Sequence, residues 1–414
     1  MLTHTLKPME ELRFVVKDEP CTIKLEEGKA ELFGTELAPR KPYTLKDRVA
    51  SIFSFHGAKI SFLGNTDTQY ISTDTSMDQY ISFHGELEDI RSRAKTDRDG
   101  RGPRVLITGP MDSGKSTLTQ LLTSWAVRCD HSPIVVDLDV GQNHLSIPGT
   151  IAASVFNKPV DLESGLDADD ALVFWYGHTS LQKNTSLFLH LVNQLAMTVD
   201  MRCDQDEHIL ESGIVVNTCG WVEDLGFDVL VDCIKVLEID YVIVLGRDLL
   251  RVKLERHFQS EPVQVRGFSV SSGVVSRSRE TRTSYRRSRI HRYFNGFSGE
   301  LAPHLFQIPF NLMSVYKIES SKIDARLRPI GAEQKLEENM VKEVAIDEYE
   351  SLLHSVLAIS FAQIDQQIPD FPVAGFVVVQ SVDMESQHME LLSPCSREAL
   401  PSTKFVVGSL QWID

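Results

Sequence analysis

A nine-residue stretch, Gly109–Thr117, has the residue types and spacing that hold a chain of phosphate groups. It reads Gly-Pro-Met-Asp-Ser-Gly-Lys-Ser-Thr, which matches the complete pattern G-x-x-x-x-G-K-[ST]. Backbone N–H groups in such a loop surround phosphate oxygens, and the positive end of the following helix dipole assists them. Lys115 is expected to reach the β- and γ-phosphates, and the Ser116 hydroxyl to ligate Mg²⁺. The sequence therefore predicts a bound nucleoside triphosphate. The other loop residues predicted to contact it are Asp112, Ser113, Gly114 and Thr117.

Two aspartates, Asp137 and Asp139, close the next apolar run along the chain. Two residues apart on a strand, their side chains would face the same way, beside the phosphate loop. One carboxylate could organise Mg²⁺ through water, and one could take the proton from an attacking hydroxyl. The alternative is that both carboxylates only cap the turn after the strand. A role in phosphoryl transfer for at least one of them is the favoured interpretation.

The motif Thr218-Cys-Gly-Trp221 follows a third apolar run and is expected at the same edge of the fold. A tryptophan there could stack on a base, which contributes about 1–3 kcal/mol. It could equally pack into the core, because most tryptophans are largely buried. The residues alone leave both interpretations open.

Seven arginines and one acidic residue lie between Arg277 and Arg292. In a chain with a net charge of −16 this is an unusual concentration of positive charge. Arg282, Arg286 and Arg289 have i, i+4, i+7 spacing and would share one helix face. Guanidinium groups suit both transferring phosphoryl groups and nucleic-acid phosphates. A solvated basic helix and a nuclear localisation signal are the alternatives, and a lid that closes over the phosphates is favoured.

Alternating strands and helices would bring these candidates to one edge of a sheet. The apolar runs predicted to be strands are Val105–Ile107, Ile134–Leu138, Leu172–Tyr176, Ile214–Asn217 and Tyr241–Leu245. The main helices predicted between them are Ser186–Met201 and Gly226–Leu237. This alternation indicates an α/β fold with a doubly wound parallel sheet, whose functional loops follow the carboxyl ends of the strands.

The regions on either side have a different pattern. Residues 1–97 carry short alternating stretches, such as Val49–Phe55 and Lys59–Leu63, and predict a small β domain ending in a helix over about 84–95. A polar linker then leads into a central domain, residues 98–297. Residues 298–414 form a third region, with strand-like runs at Phe306–Lys317 and Gly375–Val382. Two further stretches of that region, Ala325–Glu338 and Asp383–Ser402, are polar and predicted to be loops.

Composition limits the class of protein. The negative net charge excludes nonspecific binding of polyanions by the chain as a whole, so any nucleic-acid contact needs a local basic patch. We find no apolar run of 18 residues and no secretory signal pattern, and we expect no membrane association. The six cysteines lack paired spacing, which favours reduced thiols over a disulfide framework or a zinc site. A nuclear or cytosolic location is expected.

These elements together resemble the Clp/Grc-type polynucleotide 5′-hydroxyl kinases, in particular the RNA kinase subunits of the pre-mRNA cleavage machinery and of the tRNA-splicing endonuclease complex. The resemblance spans almost the whole chain. Besides the phosphate loop and the arginine run, it rests on Glu11–Phe14, Ala30–Leu37, Leu138–Gln142, Ser146–Thr150, Val216–Trp221 and Ala374–Val379. A phosphate loop alone indicates only a superfamily, whereas T-x-G-W combined with an arginine lid is far more specific.

The resemblance implies three domains: an N-terminal β-sandwich (1–97), a central P-loop kinase domain with an arginine-rich lid (277–292), and a C-terminal α/β domain (298–414). It implies transfer of the γ-phosphate of ATP, with Mg²⁺, to the 5′-hydroxyl of RNA. It further implies a nuclear protein that joins subunits of the cleavage factor and of the tRNA-splicing endonuclease. The residue roles implied are Lys115 on the phosphates, Asp139 as general base and Mg²⁺ organiser, Arg282 and Arg286 as lid arginines, Gln142, Thr218 and Trp221 at the substrate, and Glu11 and Arg48 at the nucleotide.

Three stretches depart from the family pattern. Asn143-His144 stands where relatives carry small residues, and we expect these side chains to crowd the substrate groove. Leu245–Asp248 replaces an Asp-Gln-Glu-Arg run, and Val270–Gly273 lacks the family lysine and one glycine. Two functions are therefore weighed: an active RNA 5′-kinase, and an ATP-bound scaffold subunit of the cleavage factor. A generic ATPase or GTPase switch is disfavoured, because no N-K-x-D motif follows a late strand.

Overall fold

Alternating apolar and polar residues fold the first part of the chain into two facing antiparallel sheets. The computed structural model describes residues 2–413 except Asp18, 98–99, Asp167, Asp169, Ser298 and 321–338. The first elements are β1 (Leu2–Leu6), β2 (Glu10–Val16), β3 (Cys21–Gly28), β4 (Glu31–Leu32), β5 (Thr35–Glu36), β6 (Pro42–Leu45), β7 (Arg48–Ser54), β8 (Ala58–Leu63), β9 (Thr68–Ser72) and α1 (Met77–Ala94).

The two sheets have strand orders β1-β8-β3-β6 and β5-β4-β7-β2-β9. Along β3, buried and partly exposed residues alternate, which places Ile23 and Leu25 in the core between the sheets, with Phe14 and Phe62. The expected N-terminal β-sandwich is confirmed.

Helix α1 begins at Met77, seven residues before the start predicted from the sequence. Its buried residues Met77, Tyr80, Phe83 and Leu87 recur at helical spacing and pack against the central domain. The helix therefore belongs to the core of the next region and connects the β-sandwich to it.

The central domain alternates strands and helices, as predicted. Its elements are β10 (Arg104–Thr108), α2 (Lys115–Arg128), β11 (Ile134–Asp137), β12 (Thr150–Val155), β13 (Leu172–Trp175), α3 (Thr185–Asp204), α4 (Glu207–Ser212), β14 (Ile214–Asn217), α5 (Leu225–Val236), β15 (Tyr241–Leu245), α6 (Asp248–His257), β16 (Gln264–Phe268) and α7 (Arg279–Asn295). The sheet order is β13-β12-β11-β14-β10-β15-β16.

The central sheet is mixed, which refines the prediction of a parallel sheet. Strands β11, β14, β10, β15 and β16 are parallel, whereas β12 pairs antiparallel with both β11 and β13. The cause is the connection from β11 to β12, residues 138–149, which has no crossover helix. A parallel return needs such a crossover, so the chain folds back beside β11 instead. The P-loop α/β fold class is confirmed.

The C-terminal region forms a second mixed sheet. Its strands are β17 (His304–Pro309), β18 (Ser314–Ser320), β19 (Asn339–Glu343), β20 (Ser355–Ser360), β21 (Val373–Asp383), β22 (His388–Ser393) and β23 (Lys404–Gln411). The order is β17-β22-β21-β20-β23-β18-β19, with only the β18–β23 pair parallel.

Two details of this region differ from the sequence predictions. The run Phe306–Lys317 is divided into β17 and β18 by a single 3₁₀ turn at Phe310–Leu312. The stretch Asp383–Ser402 is not all loop, because its alternating residues His388–Ser393 form β22. The predicted loop Ala325–Glu338 lies outside the described residues.

The α/β character expected of the C-terminal domain comes from a helix of the preceding region. Among its described residues the domain itself has strands and short 3₁₀ turns. Helix α7 packs on its sheet: the Phe294 ring stacks on Trp412 with centroids 5.7 Å apart, and Tyr293 contacts Phe376. The lid helix is thus anchored at its C-terminal end. Across the described part of the chain, helices are too short or too polar to cross a membrane.

Candidate active site

The phosphate loop follows β10 and opens α2 as the motif requires. Gly109 has φ +150°, and a Cβ there would lie 2.6 Å from the Leu245 carbonyl oxygen. Gly114 has φ +91° and is the N-cap of α2, so the helix begins at Lys115. Glycine fits both positions because it has no Cβ to clash and tolerates positive φ. The loop therefore presents its backbone and the helix N-terminus to one small pocket.

Lys115 is buried in this loop, with 7% of its surface exposed. Its Nζ donates hydrogen bonds to the carbonyl oxygens of Pro110 at 2.7 Å and Gly109 at 3.1 Å. Burial lowers the pKa of Lys115, and the nearby Asp139 carboxylate opposes that shift. The ammonium group is thus held at the phosphate loop by carbonyls that an incoming phosphate would have to replace.

Asp137 ends β11 and is saturated with hydrogen bonds. Its carboxylate accepts from the backbone N–H of Asp139 at 3.0 Å, the backbone N–H of His144 at 2.8 Å and the Asn217 amide at 3.0 Å. Burial and the neighbouring Asp139 charge raise the pKa of Asp137 to about 7. Asp137 therefore has the capping role that was the alternative to a role in phosphoryl transfer. Its carboxylate oxygens hold the loop that carries Asp139.

We expect Asp137→Ala to lower the free energy of unfolding by about 2–5 kcal/mol. The change leaves three buried donors without their acceptor, and each such loss costs about 1–3 kcal/mol, less than additively. Urea denaturation of the two proteins measures the difference. Asp89→Ala on the exposed face of α1 is the matched control, expected within about 0.5 kcal/mol of the parent. Equal losses for both variants would contradict this role for Asp137.

Asp139 lies in the turn after β11 and not on the strand, which corrects the predicted strand boundary at Leu138. Its Oδ1 accepts from the backbone N–H of Gly141 at 2.9 Å and of Gln142 at 3.1 Å. Burial raises the pKa of Asp139, and the Lys115 ammonium opposes that shift. Two backbone donors therefore fix the orientation of this carboxylate.

The structure gathers most of the predicted site into one pocket of about 70 Å³. The predicted residues that line it are Asp112, Ser113, Gly114, Lys115, Ser116, Thr117, Asp139 and Gln142. The Gln142 Oε1 is buried and has no hydrogen-bond partner among the described residues. A buried acceptor without a donor is costly, so this side chain is suited to a ligand that brings one.

The T-x-G-W motif borders the same pocket through its glycine. A Cβ on Gly220 would lie 2.6 Å from the Met111 backbone nitrogen, so the motif and the phosphate loop are in close contact. The Thr218 hydroxyl donates to the Ile107 carbonyl at 2.9 Å and thus links β14 to β10. Trp221 is partly buried against the central core, beside Gly226. The ring therefore has a packed face, while its role at a nucleotide stays a prediction.

The arginine run begins just before α7 and continues along most of it, and its first arginines contact the phosphate loop. The Asp112 carboxylate accepts from Arg282 Nη2 at 2.5 Å and from the Arg277 backbone and Nε at 3.0 and 3.3 Å. Arg286 hydrogen-bonds Thr283, and its pKa is lowered by burial and by neighbouring arginines. The geometry of a lid is present, and Asp112 is its contact on the loop.

Asp112→Asn is expected to loosen this contact. Hydrogen bonds to charged groups contribute about 1.5–3 kcal/mol, so backbone amide exchange over residues 277–283 should accelerate by roughly tenfold or more. Hydrogen–deuterium exchange measures it, with the exposed Glu280→Gln on the same helix as control. Unchanged exchange in Asp112→Asn would mean that other contacts hold the lid.

The departure at Asn143-His144 has a structural explanation. Asn143 is fully buried and caps its own loop through the backbone of Leu145 and Ser146. The His144 ring contacts the Tyr285 hydroxyl at 3.2 Å, and its carbonyl accepts from Arg289 at 2.9 Å. These residues connect the loop after β11 to the lid helix.

The structure does not bring Glu11 and Arg48 together. They lie five ladder positions apart on β2 and β7, which is about 17 Å along the strands. Glu11 accepts from Arg13, which in turn contacts Ser272 at 2.8 Å, in the loop that approaches the phosphate loop. Arg48 donates to the Leu162 carbonyl at 2.6 Å. Glu11 is therefore connected to the phosphate loop only through Arg13 and the loop that carries Ser272, and Arg48 lies within electrostatic reach of Tyr285 and His144 at the lid contact.

Three residues that line the pocket were not among the predicted site residues: Arg277, Gly220 and Met111, a variable position of the phosphate loop. Arg277 belongs to the arginine run, but it precedes the i, i+4, i+7 face on which the prediction relied. The signal that could have found Arg277 is its membership of the arginine-rich run, whatever its helix face. Gly220 lies inside a motif that was read for its threonine and tryptophan, and its close approach to Met111 depends on tertiary structure.

Comparison with protein families gives three matches that cover most of the chain. Residues 5–94 match the N-terminal β-sandwich domain of polyadenylation factor. Residues 109–296 match the P-loop region of the mRNA cleavage and polyadenylation factor CLP1, and residues 301–414 match the pre-mRNA cleavage complex II protein Clp1. The P-loop family implies nucleotide binding.

Individual proteins are similar over almost their full length. A CLP1 homolog from Aedes aegypti is 37% identical over 99% of this chain and 97% of its own length. The human polyribonucleotide 5′-hydroxyl-kinase Clp1 is 37% identical over 98% of this chain and 95% of its own. A solved structure of the interface between Pcf11p and Clp1p has the same fold, with a TM-score of 0.86, 23% identity, and coverage of 100% of this chain and 99% of that one.

Proposed function

The chain belongs to the Clp1 family of pre-mRNA cleavage proteins, and from that premise we propose that it transfers the γ-phosphate of ATP to the 5′-hydroxyl of RNA. One observation carries the proposal: Lys115, Ser116 and Asp139 line a single pocket at the start of α2. An arginine of the lid, Arg277, closes the same pocket. A cation, a hydroxyl and a buried carboxylate in this arrangement are the groups that phosphoryl transfer requires.

Asp139 is the general base of the proposed reaction. Its Oδ1 is held by two backbone N–H groups, so the carboxylate cannot turn away from the pocket. It would accept the proton of the attacking 5′-hydroxyl as the oxygen approaches phosphorus. Burial raises the pKa of Asp139, which makes it a stronger base than an exposed aspartate, and the Lys115 ammonium opposes that shift.

The cationic groups offset negative charge that develops during transfer. Lys115 exchanges its two loop carbonyls for phosphate oxygens, at little net cost because one set of acceptors replaces another. Arg277 and Arg282 are held at the phosphate loop by their contacts with Asp112. Arg286 is on the same face of α7 and within electrostatic reach of Asp139. Stabilisation of this kind is usually the largest contribution to catalysis.

The oxygen atoms of the pocket fit Mg²⁺. The Ser116 hydroxyl and the Asp139 carboxylate both line it, and hard divalent cations take such oxygen ligands. When bound there, Mg²⁺ would neutralise part of the charge on the transferring phosphate.

The 5′ end of the RNA would enter beside the T-x-G-W motif. Gln142 offers its buried, unpartnered oxygen on that side, and Trp221 supplies an aromatic ring next to the pocket glycine. A hydrogen bond from the terminal nucleotide and stacking on Trp221 would position the hydroxyl for attack. Thr218 contributes by holding the motif against β10.

The partners that we propose follow from the family and its relatives. The family descriptions and the structural relative solved with Pcf11p support binding to subunits of the pre-mRNA cleavage factor. A role in pre-mRNA cleavage supports a nuclear location. Association with the tRNA-splicing endonuclease rests on the sequence resemblance alone.

The test is transfer of labelled γ-phosphate from ATP to a short RNA with a 5′-hydroxyl end. Transfer by the parent protein that is lost in Lys115→Ala and Asp139→Asn supports the proposal. A 5′-phosphorylated RNA of the same sequence is the matched negative control. A DNA strand of that sequence measures whether the 2′-hydroxyl is recognised.

A second candidate function is an ATP-bound scaffold subunit of the cleavage factor. The observation that favours it is the contact between the lid and the loop after β11, through Tyr285 on His144 and Arg289 on the His144 and Ser146 carbonyls. This contact would have to open before an RNA end could reach Gln142. Stoichiometric, unhydrolysed ATP that copurifies with the protein, together with no RNA product, would support the scaffold over the kinase.

A further inference from the structure

Four side chains that commonly bind metal ions meet at the far end of α2 from the phosphate loop. His84 and Glu88 lie one turn apart on α1, Cys129 is the C-cap of α2, and His131 follows it by two residues. The cluster is about 21 Å along α2 from Lys115, so it is separate from the active site. It lies where α1 crosses from the β-sandwich onto the central domain.

The ligand atoms have the separation that a tetrahedral zinc site requires. Zinc bonds of about 2.0–2.3 Å place neighbouring ligand atoms about 3.3–3.8 Å apart. Here His84 Nε2 is 3.9 Å from Cys129 Sγ and 3.8 Å from Glu88 Oε1, and His131 Nε2 is 2.9 Å from Glu88 Oε2. The donor atoms of His84, Glu88 and Cys129 all lie within 4.8 Å of one another. His131 lies outside this group of three and contacts it through its hydrogen bond with Glu88.

His84 is buried and directs its Nε2 into the cluster. The residue is 6% exposed, and in the described part of the chain its Nδ1 has no partner. Its Nε2 points at the Cys129 sulfur, a weak acceptor, and at Glu88 beyond normal hydrogen-bond distance.

The charges of the cluster also suit a divalent cation. The Glu88 carboxylate accepts hydrogen bonds from Arg91 at 2.5 Å and from His131 Nε2 at 2.9 Å. One carboxylate and one thiolate neutralise Zn²⁺, and Arg91 at 2.5 Å from Glu88 Oε1 remains as the outer partner that orients the carboxylate. On binding, the Cys129 thiol releases its proton to solvent, and the thiolate sulfur bonds the zinc ion. Cys129 is exposed and gives an ion a way in.

We propose that His84, Glu88 and Cys129 bind a zinc ion that fastens α1 to the end of α2, with water as the fourth ligand and with His131 holding the Glu88 carboxylate from outside the ligand set. From the sequence we expected reduced thiols rather than a zinc site. That expectation relied on short cysteine spacing, whereas these ligands are contributed by two separate segments between residues 84 and 129.

Metal binding by the full chain tests the proposal directly. The protein is stripped with a chelator, dialysed against zinc chloride without nucleotide, and its metal content measured. One zinc ion per chain is expected. Replacement of zinc by Co²⁺ should give the strong visible absorption bands of a tetrahedral site and a charge-transfer band from thiolate to cobalt. This measurement uses the parent protein and needs no variant. A stripped protein that takes up no zinc, or a cobalt spectrum without the charge-transfer band, overturns the proposal.

Variants identify the ligands. Cys129→Ser and His84→Gln should weaken zinc binding by at least about tenfold and remove the rise in unfolding temperature that zinc gives the parent. Cys395→Ser changes a partly exposed thiol of the C-terminal domain and should bind zinc like the parent. Wild-type zinc affinity in Cys129→Ser would place the metal elsewhere and refute the site.

Discussion

Lys115→Ala is expected to reduce phosphate transfer at least about a hundredfold to a thousandfold. Removal of one preorganised donor from a charged transition state has an effect of that size. The variant should still fold, because the lost hydrogen bonds are to two loop carbonyls at the edge of a pocket. The readout is the rate of γ-phosphate transfer to RNA, with the unfolding temperature of each protein measured alongside.

The matched control is Lys158→Ala, which removes an exposed lysine of the same domain. It should leave the transfer rate unchanged. Transfer by Lys115→Ala at more than a tenth of the parent rate would show that another group supports the phosphates. Loss of activity accompanied by unfolding would leave Lys115 with a structural role only.

Asp139→Asn is the second large effect, and we expect a loss of about 10²–10⁴ in the transfer rate. The amide oxygen can still accept from Gly141 and Gln142, so the loop should keep its shape. Nucleotide affinity in the absence of RNA should change little compared with the rate. Measuring both separates a missing base from a damaged site.

The pH profile gives an independent check on Asp139. An exposed aspartate has a pKa of about 4. Because burial raises the pKa of Asp139, the transfer rate should begin to fall at a higher pH than it would with an exposed aspartate as the base. Activity is lost as the pH falls through that raised value, since protonation removes the base. The residual activity of Asp139→Asn should lack this limb. An identical acid limb in the variant would assign the ionisation to another group.

Continuous apolar strands were the most predictable part of the fold. Ile214–Asn217 and Tyr241–Leu245 were predicted with the bounds that the structure has, because both are buried on two faces and leave no periodicity to misjudge. Strand β12, Thr150–Val155, was missed since its small residues resemble a loop and its antiparallel pairing depends on how the chain returns beside β11. Its place in the sheet follows from tertiary structure.

The functional site likewise has residues that the sequence predicts and residues that only the tertiary structure brings together. Lys115, Ser116 and Asp139 were predictable because they belong to local patterns whose geometry is set by a strand, a turn and a helix. Arg48 was carried over by resemblance and is directed to Leu162, a contact between distant segments. The zinc ligands, such as His84 and Cys129, are 45 residues apart and meet only because two helices cross. Chemistry that depends on tertiary contacts leaves no short motif.

Helix α7 is packed on the C-terminal sheet at Phe294, and its other end is held by the contact between Arg282 and Asp112. If that contact breaks, the helix can rotate about Phe294. The distance between Arg282 and Phe294 is about 18 Å along the helix axis. Raising the Arg282 end by about 5 Å then needs a rotation of about 16°, and Arg289, about 8 Å from Phe294 along the axis, moves roughly 2 Å. The lid would thus release the phosphate loop first and the His144 loop last, and any partner that tilts the C-terminal sheet would move the arginines.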